Sequence, residues 1–243
     1  MNLVKQSVLV SVVTLAGALA ACSSSSTPVT TTDAGKDGSV VKPDSGGGDS
    51  STPGTCTPQS VSSFTPSADP PPATAAGACA AGDVTDFFNF CIDPGDTTKC
   101  TALQKDTTKA NCLKCLLTPE SAAKWGALIE DNQNLIRNNI GGCLTVKGDA
   151  ACAKAVSESS QCSRAACPDT VCPVPDGDTA ALNALNACES KADTTVCKQY
   201  ADKAACVDAD VGAAAACTAP ANSQDGFKDT YIAVATAICV NGK

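Results

Sequence analysis

Seventeen cysteines and no histidine constrain this 243-residue chain more than any other feature. Sixteen of the cysteines lie in the last four-fifths of the sequence: Cys56, Cys79, Cys91, Cys100, Cys112, Cys115, Cys143, Cys152, Cys162, Cys167, Cys172, Cys188, Cys197, Cys206, Cys217 and Cys239. One, Cys22, stands apart near the start. An even set of cysteines in an exported chain defaults to disulfides, whereas in a reducing compartment the same residues are free thiols or metal ligands. Which applies depends on whether the chain leaves the cytoplasm.

The first residues point outward. A polar start with a single cation, Lys5, leads into a charge-free apolar stretch from Ser7 to Ala21. Residues 1–21 therefore read as the n-region and h-region of a signal peptide. The run is shorter than the ~20 apolar residues of a membrane span, and no basic stop-transfer cluster follows it. It ends in Leu19-Ala20-Ala21-Cys22, which closely resembles the lipobox of bacterial lipoproteins. That resemblance implies lipidation at Cys22 and anchorage in the lipid bilayer through the acylated N-terminus. Ser23 behind the cysteine is compatible with export to the outer membrane.

Residues 22–55 are dominated by Ser, Thr, Gly, Asp, Pro and Val and contain no aromatic side chain. Such a segment cannot bury enough apolar surface to offset its chain entropy, and it reads as a disordered tether. The string Asp33-Ala34-Gly35-Lys36-Asp37-Gly38 lacks the carboxylate series and closing glutamate of a calcium loop, so it belongs to the linker. Residues 56–78, with Pro70-Pro71-Pro72 inside Thr65 to Ala76, read as an irregular leader. The cysteine-rich domain then occupies residues 79–243.

Cleavage before Cys22 removes one lysine and no acid, leaving 16 basic against 25 acidic side chains and a net charge of −9. Nucleic acid and anionic lipid surfaces are poor partners for that charge, and an envelope protein or glycan is the expected class of ligand. All eight aromatic residues lie beyond Cys56 among abundant alanine, so the core is thin and cross-links must supplement it. The absence of histidine excludes histidine acid/base catalysis, Ser-His-Asp triads and histidine metal sites. A single Cys-x-x-Cys, Cys112 to Cys115, falls short of the two pairs that a zinc ribbon supplies, so no metal and no cofactor is expected. The same pair gives the alternative reading, a thiol-disulfide redox protein, because Cys-x-x-Cys at a helix start lowers a thiol pKa. Glu130 and Asp131 adjoin and read as a solvated helix face rather than a hydrolytic carboxylate pair. With no phosphate loop and no Gly-x-Ser-x-Gly elbow, no catalytic residue is assigned and an enzyme is not expected.

Three segments share one shape: Cys91 to Cys100, Cys143 to Cys152 and Cys188 to Cys197, each with eight residues between its cysteines. They recur at spacings of 52 and 45 residues, which suggests one helix–loop–helix unit used three times. Before the first loop, Val84, Phe87, Phe88 and Cys91 lie at helical spacing behind Asp83 as N-cap. In the second unit Thr118-Pro119-Glu120 predicts a helix start, with Trp125, Leu128, Ile129, Leu135, Ile136 and Ile140 along a long helix that Gly141-Gly142 ends. In the third, Leu182, Leu185 and Cys188 follow caps at Asp176 or Asp178. Asp96, Asp149 and Asp193 are placed to cap the returning helices, and Phe227, Tyr231, Val234 and Ile238 mark a last helix.

The expected fold is therefore all-α: disulfide-stapled antiparallel helical hairpins, about three repeated units plus a C-terminal helix. The simplest pairing closes each turn through Cys91–Cys100, Cys143–Cys152 and Cys188–Cys197, with Cys79 joining Cys112 or Cys115 at an open end. Cys197 and Cys206 on one straight helix would lie about 13 Å apart, out of mutual reach, so both must bridge to other elements.

Cys112-Leu113-Lys114-Cys115, Thr118-Pro119-Glu120-Ser121-Ala122-Ala123, Trp125-Gly126-Ala127-Leu128 and Gly141-Gly142-Cys143-Leu144, together with the lipobox and tether, carry a wider likeness. In these motifs the chain resembles the uncharacterised cysteine-rich exported lipoproteins of myxobacteria and their relatives. The resemblance implies an envelope location and brings no established activity.

Overall fold

The computed structural model describes residues 56–93, 96–131, 135–175, 178–209, 212–220 and 223–242. The signal peptide 1–21, the lipidation residue Cys22, the tether 22–55, the loop residues Pro94 and Gly95 and the candidate cap Asp176 lie outside them. The described residues are mainly helical, with one small sheet. Helix α1 (Ala81–Phe87) continues as a π-turn over Phe88–Ile92, and is followed by α2 (Thr97–Lys105) and α3 (Ala110–Leu116). Three short strands come next: β1 (Leu117–Pro119), β2 (Leu128–Glu130) and β3 (Ile136–Asn138). Then follow α4 (Ile140–Val146), α5 (Ala150–Ala166), α6 (Thr179–Thr194), α7 (Lys198–Ala204), α8 (Gly212–Ala215) and α9 (Gly226–Ala235), the last continuing as a π-turn over Thr236–Val240.

Aspartate caps four of these helices, α2, α5, α6 and α9, because its carboxylate accepts the backbone N–H groups that a first turn leaves open. Asp96 caps α2 through Thr98 N at 3.0 Å, Asp149 caps α5 through Cys152 N at 3.0 Å, and Asp178 caps α6 through Ala181 N at 2.9 Å. Two expected caps are corrected. Asp83 lies in the first turn of α1, where it accepts from Ala80 N at 3.0 Å, and Ala80 is the N-cap residue. Asp193 sits inside α6, which runs on to Thr194, and accepts a hydrogen bond from Ser163 Oγ on α5.

The long helix expected across Pro119 to Ile140 is replaced by the sheet, in which β1 pairs parallel with β2 and β2 antiparallel with β3. The reasons are local. Asp131 Oδ1 accepts from Leu135 N at 2.9 Å while Asp131 N donates to Leu135 O at 3.0 Å, so the Asp131 side chain takes the Leu135 N–H that a helical ladder would give to the Asp131 carbonyl. At Gly126 a Cβ would come within 2.2 Å of Cys115 O, so only glycine lets the chain pass there. Gly141 and Gly142 do not stop a helix. They lie in the first turn of α4, where the absence of a Cβ at 142 leaves room for the Asn139 side chain that accepts Gly142 N at 2.8 Å.

All sixteen cysteines of the described residues are joined, in eight disulfides. Cys91–Cys100 closes the first turn as the spacing predicts, and Cys79 takes Cys112, one of the two partners that the spacing left open. The other two expected turn closures are corrected: Cys143 pairs with Cys217, Cys152 with Cys206, Cys162 with Cys197 and Cys188 with Cys167. Because α6 extends past Cys188 to Thr194, the six intervening residues of rise put about 9 Å between Cys188 and the helix end, too far for a bond to Cys197. Cys197 and Cys206 instead both bridge to α5, onto Cys162 and Cys152 in reverse order. Nine residues on one side match ten on the other, so α7 and the turn behind it run antiparallel along α5, held at each end. The remaining bonds are Cys115–Cys239 and Cys56–Cys172, which tie the C-terminal turn to α3 and residue 56 to the loop after α5.

Two apolar clusters result. One gathers α1, α3, α4 and α9 around Tyr231, Leu116, Leu144, Phe88 and Ile238; the other gathers α5 and α6 around Leu182, Leu185 and Ala166 with six cysteines beside or within it. Residues 71–79 are irregular but firmly bonded: Trp125 N donates to Pro71 O at 3.0 Å, Ala75 N to Ile238 O at 3.2 Å and Cys79 N to Cys239 O at 3.1 Å. Phe227, Tyr231, Val234 and Ile238 form the buried face expected of the last helix, and Tyr231 Oη donates to Val84 O at 3.1 Å. Among the described residues no helix is long and apolar enough to cross a membrane. Replacing Tyr231 by Phe removes that one buried bond between the C-terminal and first helices. It is expected to lower unfolding stability in denaturant by about 1 kcal/mol with the slope unchanged; an unaltered midpoint would show the bond contributes nothing.

Candidate functional site

The Cys112–Cys115 motif does not close on itself. The two cysteines lie one turn apart on α3, both buried, and bond in different directions, to Cys79 and to Cys239. The one grouping of three cysteine sulfurs within metal-ligand distance among the described residues is Cys56, Cys172 and Cys188, whose sulfur atoms lie within 4.8 Å of one another. All three are committed to disulfides, Cys56–Cys172 and Cys167–Cys188, and a disulfide sulfur carries no thiolate charge to offer a metal. Glu130 and Asp131 end β2 and begin its loop, and are not on a helix; burial and the neighbouring Asp131 push the Glu130 carboxyl above its usual range.

The polar centre of the molecule lies elsewhere, where the sheet meets α5 and α6. Glu120, just after β1, accepts from Arg137 Nη2 at 2.8 Å on β3 and from Arg164 Nη1 in the last turn of α5. Its backbone is fixed by two further bonds, Glu120 N to Glu130 O at 2.7 Å and Trp125 Nε1 to Glu120 O at 3.0 Å. The Arg137 guanidinium lies 5.3 Å from the centre of the Trp125 ring, a cation–π distance. Burial raises the Glu120 carboxyl, but the two guanidinium groups outweigh it and hold it below the usual carboxylate range. Burial also makes Arg137 less basic than usual, reinforced by the like charge of Arg164.

Across from these cations, α6 contributes two acids. Asp193 takes the Ser163 hydroxyl, and burial keeps its carboxyl above the usual range. Glu189 is only 8% exposed, and burial pushes its carboxyl up to about 7, with Asp193 and Asp131 adding to the shift and Arg164 and Arg137 opposing it. Arg164 Nε is buried and has no hydrogen-bond acceptor among the described residues. Chemically the arrangement does two things. It clamps the α5–α6 pair to the sheet through a shared carboxylate, and it holds one carboxyl that exchanges a proton near neutrality.

This cluster was missed in the sequence, where Glu120 reads as a first-turn acid and Arg137, Arg164 and Glu189 attract no notice. A signal was present: the chain has two arginines among its 17 basic residues and a single tryptophan, and all three meet at Glu120. Arginine used that sparingly marks positions where a planar fork of donors is needed and lysine will not serve. No family model, curated protein or solved structure matches the chain.

The buried acid has a measurable consequence. Between the usual 4.5 and about 7 the folded chain binds more protons at Glu189 than the unfolded chain does, so this group's contribution to stability falls as pH rises through that window. The deficit is complete above it, at about 3 kcal/mol. Glu189→Gln is expected to unfold at the same denaturant concentration as the parent near pH 4.5 and at a clearly higher one at pH 8. Parallel pH profiles for the two proteins would contradict the assignment.

Proposed function

We propose that the chain is an exported lipoprotein, anchored through acylated Cys22, that displays a disulfide-stabilised helical module at the cell envelope for structural, adhesive or binding purposes. The observation that carries this reading is the partition of the cysteines. Every cysteine of the described residues is in a disulfide, as in domains built for oxidising compartments, and the seventeenth is the one in the lipobox-like sequence. The tether and the likeness to cysteine-rich lipoproteins of myxobacteria support outer-membrane attachment, and the acidic net charge favours an envelope protein or a glycan over nucleic acid as partner. We also read the three Cys-x8-Cys segments as copies of one hairpin unit: each spans a helix-to-helix connection, although only the first is closed by its own bond.

The test is lipidation and fractionation in a bacterial envelope. The full chain should take up an alkyne-bearing fatty acid and sediment with membranes. Cys22→Ala should lose both the label and the membrane association while keeping its disulfides. Retention of label or membrane association by Cys22→Ala would overturn the proposal.

A further inference from the structure

The approach of Cys188 to the Cys56–Cys172 bond carries a second role for these sulfurs. Of the four cysteines in the two neighbouring disulfides, Cys167, Cys172 and Cys188 are 2–3% exposed, while Cys56 is half-buried and open to solvent. Half-buried cysteines also occur at Cys91 and Cys206, but among the described residues no third cysteine sulfur lies within 4.8 Å of both sulfurs of either of those bonds. A thiolate attacks the disulfide sulfur it can reach, and the partner sulfur leaves as a thiolate. At Cys56 the reachable sulfur belongs to residue 56, so the leaving group is Cys172, released within 4.8 Å of Cys188 Sγ.

The chain between the two competing partners of Cys188 is short. Cys167 follows the end of α5, and Cys172 closes a turn in which Val171 N and Cys172 N both donate to Pro168 O, at 2.8 and 2.9 Å. Exchanging Cys167 for Cys172 on Cys188 therefore asks only this turn to adjust, and leaves the loop cross-linked to α6.

We propose that Cys56 is a site of S-thiolation by low-molecular-weight thiols, with Cys167–Cys188 as the disulfide that resolves the step. The thiolate attacks Cys56 Sγ, breaks the Cys56–Cys172 bond and forms a mixed disulfide on Cys56. The Cys172 thiolate then attacks Cys188 Sγ, forms Cys172–Cys188 and expels Cys167 as a thiolate, which takes up a proton. One thiolate enters and one leaves, two disulfides stand before and after, and no net oxidant or reductant is consumed. Residue 56 is released from the loop, while α6 remains bonded to it.

The experiment exposes the full native chain to reduced glutathione, quenches with acid, alkylates after denaturation and maps the disulfide-linked peptides. The expected products are glutathione on Cys56, a Cys172–Cys188 cross-link and alkylation of Cys167 alone among the sixteen cysteines from Cys56 to Cys239. Alkylated Cys172 with Cys167–Cys188 intact would overturn the relay, and a first adduct on any other disulfide would overturn the site. In the double variant Cys167→Ser/Cys188→Ser the released Cys172 can only attack back at Cys56, so the adduct should be lost; an undiminished adduct there contradicts the resolving role. The map of the parent chain decides the matter if that variant does not fold.

Discussion

Cross-linking of sequence-distant segments is the constraint on which the rest of this structure depends. The apolar clusters rest on alanine, cysteine and a few aromatics, and several helices are only seven residues long, well below the length at which a helix is stable alone. Five of the eight bonds join residues 35 or more positions apart. In the chain-entropy account, loops as long as those closed by Cys56–Cys172 and Cys115–Cys239 each remove about 5 kcal/mol of unfolded-state freedom, against about 3 kcal/mol for the short Cys91–Cys100 loop, though overlapping loops do not add. Long-range pairing is thus the more effective use of the same sulfur.

Helix α5 is the spine of that arrangement. It receives α7 through two bonds on one side, and the residue that ends it bonds to α6 through Cys167–Cys188. Its Arg164 reaches Glu120 and couples the helical pair to the sheet. Leu135 and Ile136, adjacent at the start of β3, fall in different apolar clusters, as the alternation of side chains along a strand requires. The ion cluster therefore lies where the two clusters approach, and covers polar ground that the sparse apolar side chains leave. Glu189 is the costly member of the set, because it is removed from water without a hydrogen-bonded cation among the described residues.

Local features were legible in the sequence and global ones were not. The caps at Asp96, Asp149 and Asp178, the buried face of the last helix and the Cys91–Cys100 closure depend on residues within a few positions of one another. The sheet escaped because Thr118-Pro119-Glu120 is as good a helix start as a strand end, and the deciding contacts are those of Gly126 with Cys115 O and of Asn139 with Gly126 O at 2.8 Å, which bring together separate stretches of chain. The Cys143 and Cys188 pairings escaped because equal spacing reports the length of a connection, whereas the partner is chosen by whichever segment folds back over the helix. The convergence of Arg137 and Arg164 on Glu120 joins positions 17 and 44 residues away. Only the scarcity of arginine hinted at it.

The measurement that bears most directly on this account is a disulfide map of the exported, fully oxidised chain, made by proteolysis without reduction under conditions that suppress exchange. The account predicts peptides linked through Cys143–Cys217, Cys152–Cys206, Cys162–Cys197 and Cys167–Cys188. Peptides linked through Cys143–Cys152 and Cys188–Cys197 would instead show three self-closed hairpins, and the cross-linked spine described above would be wrong.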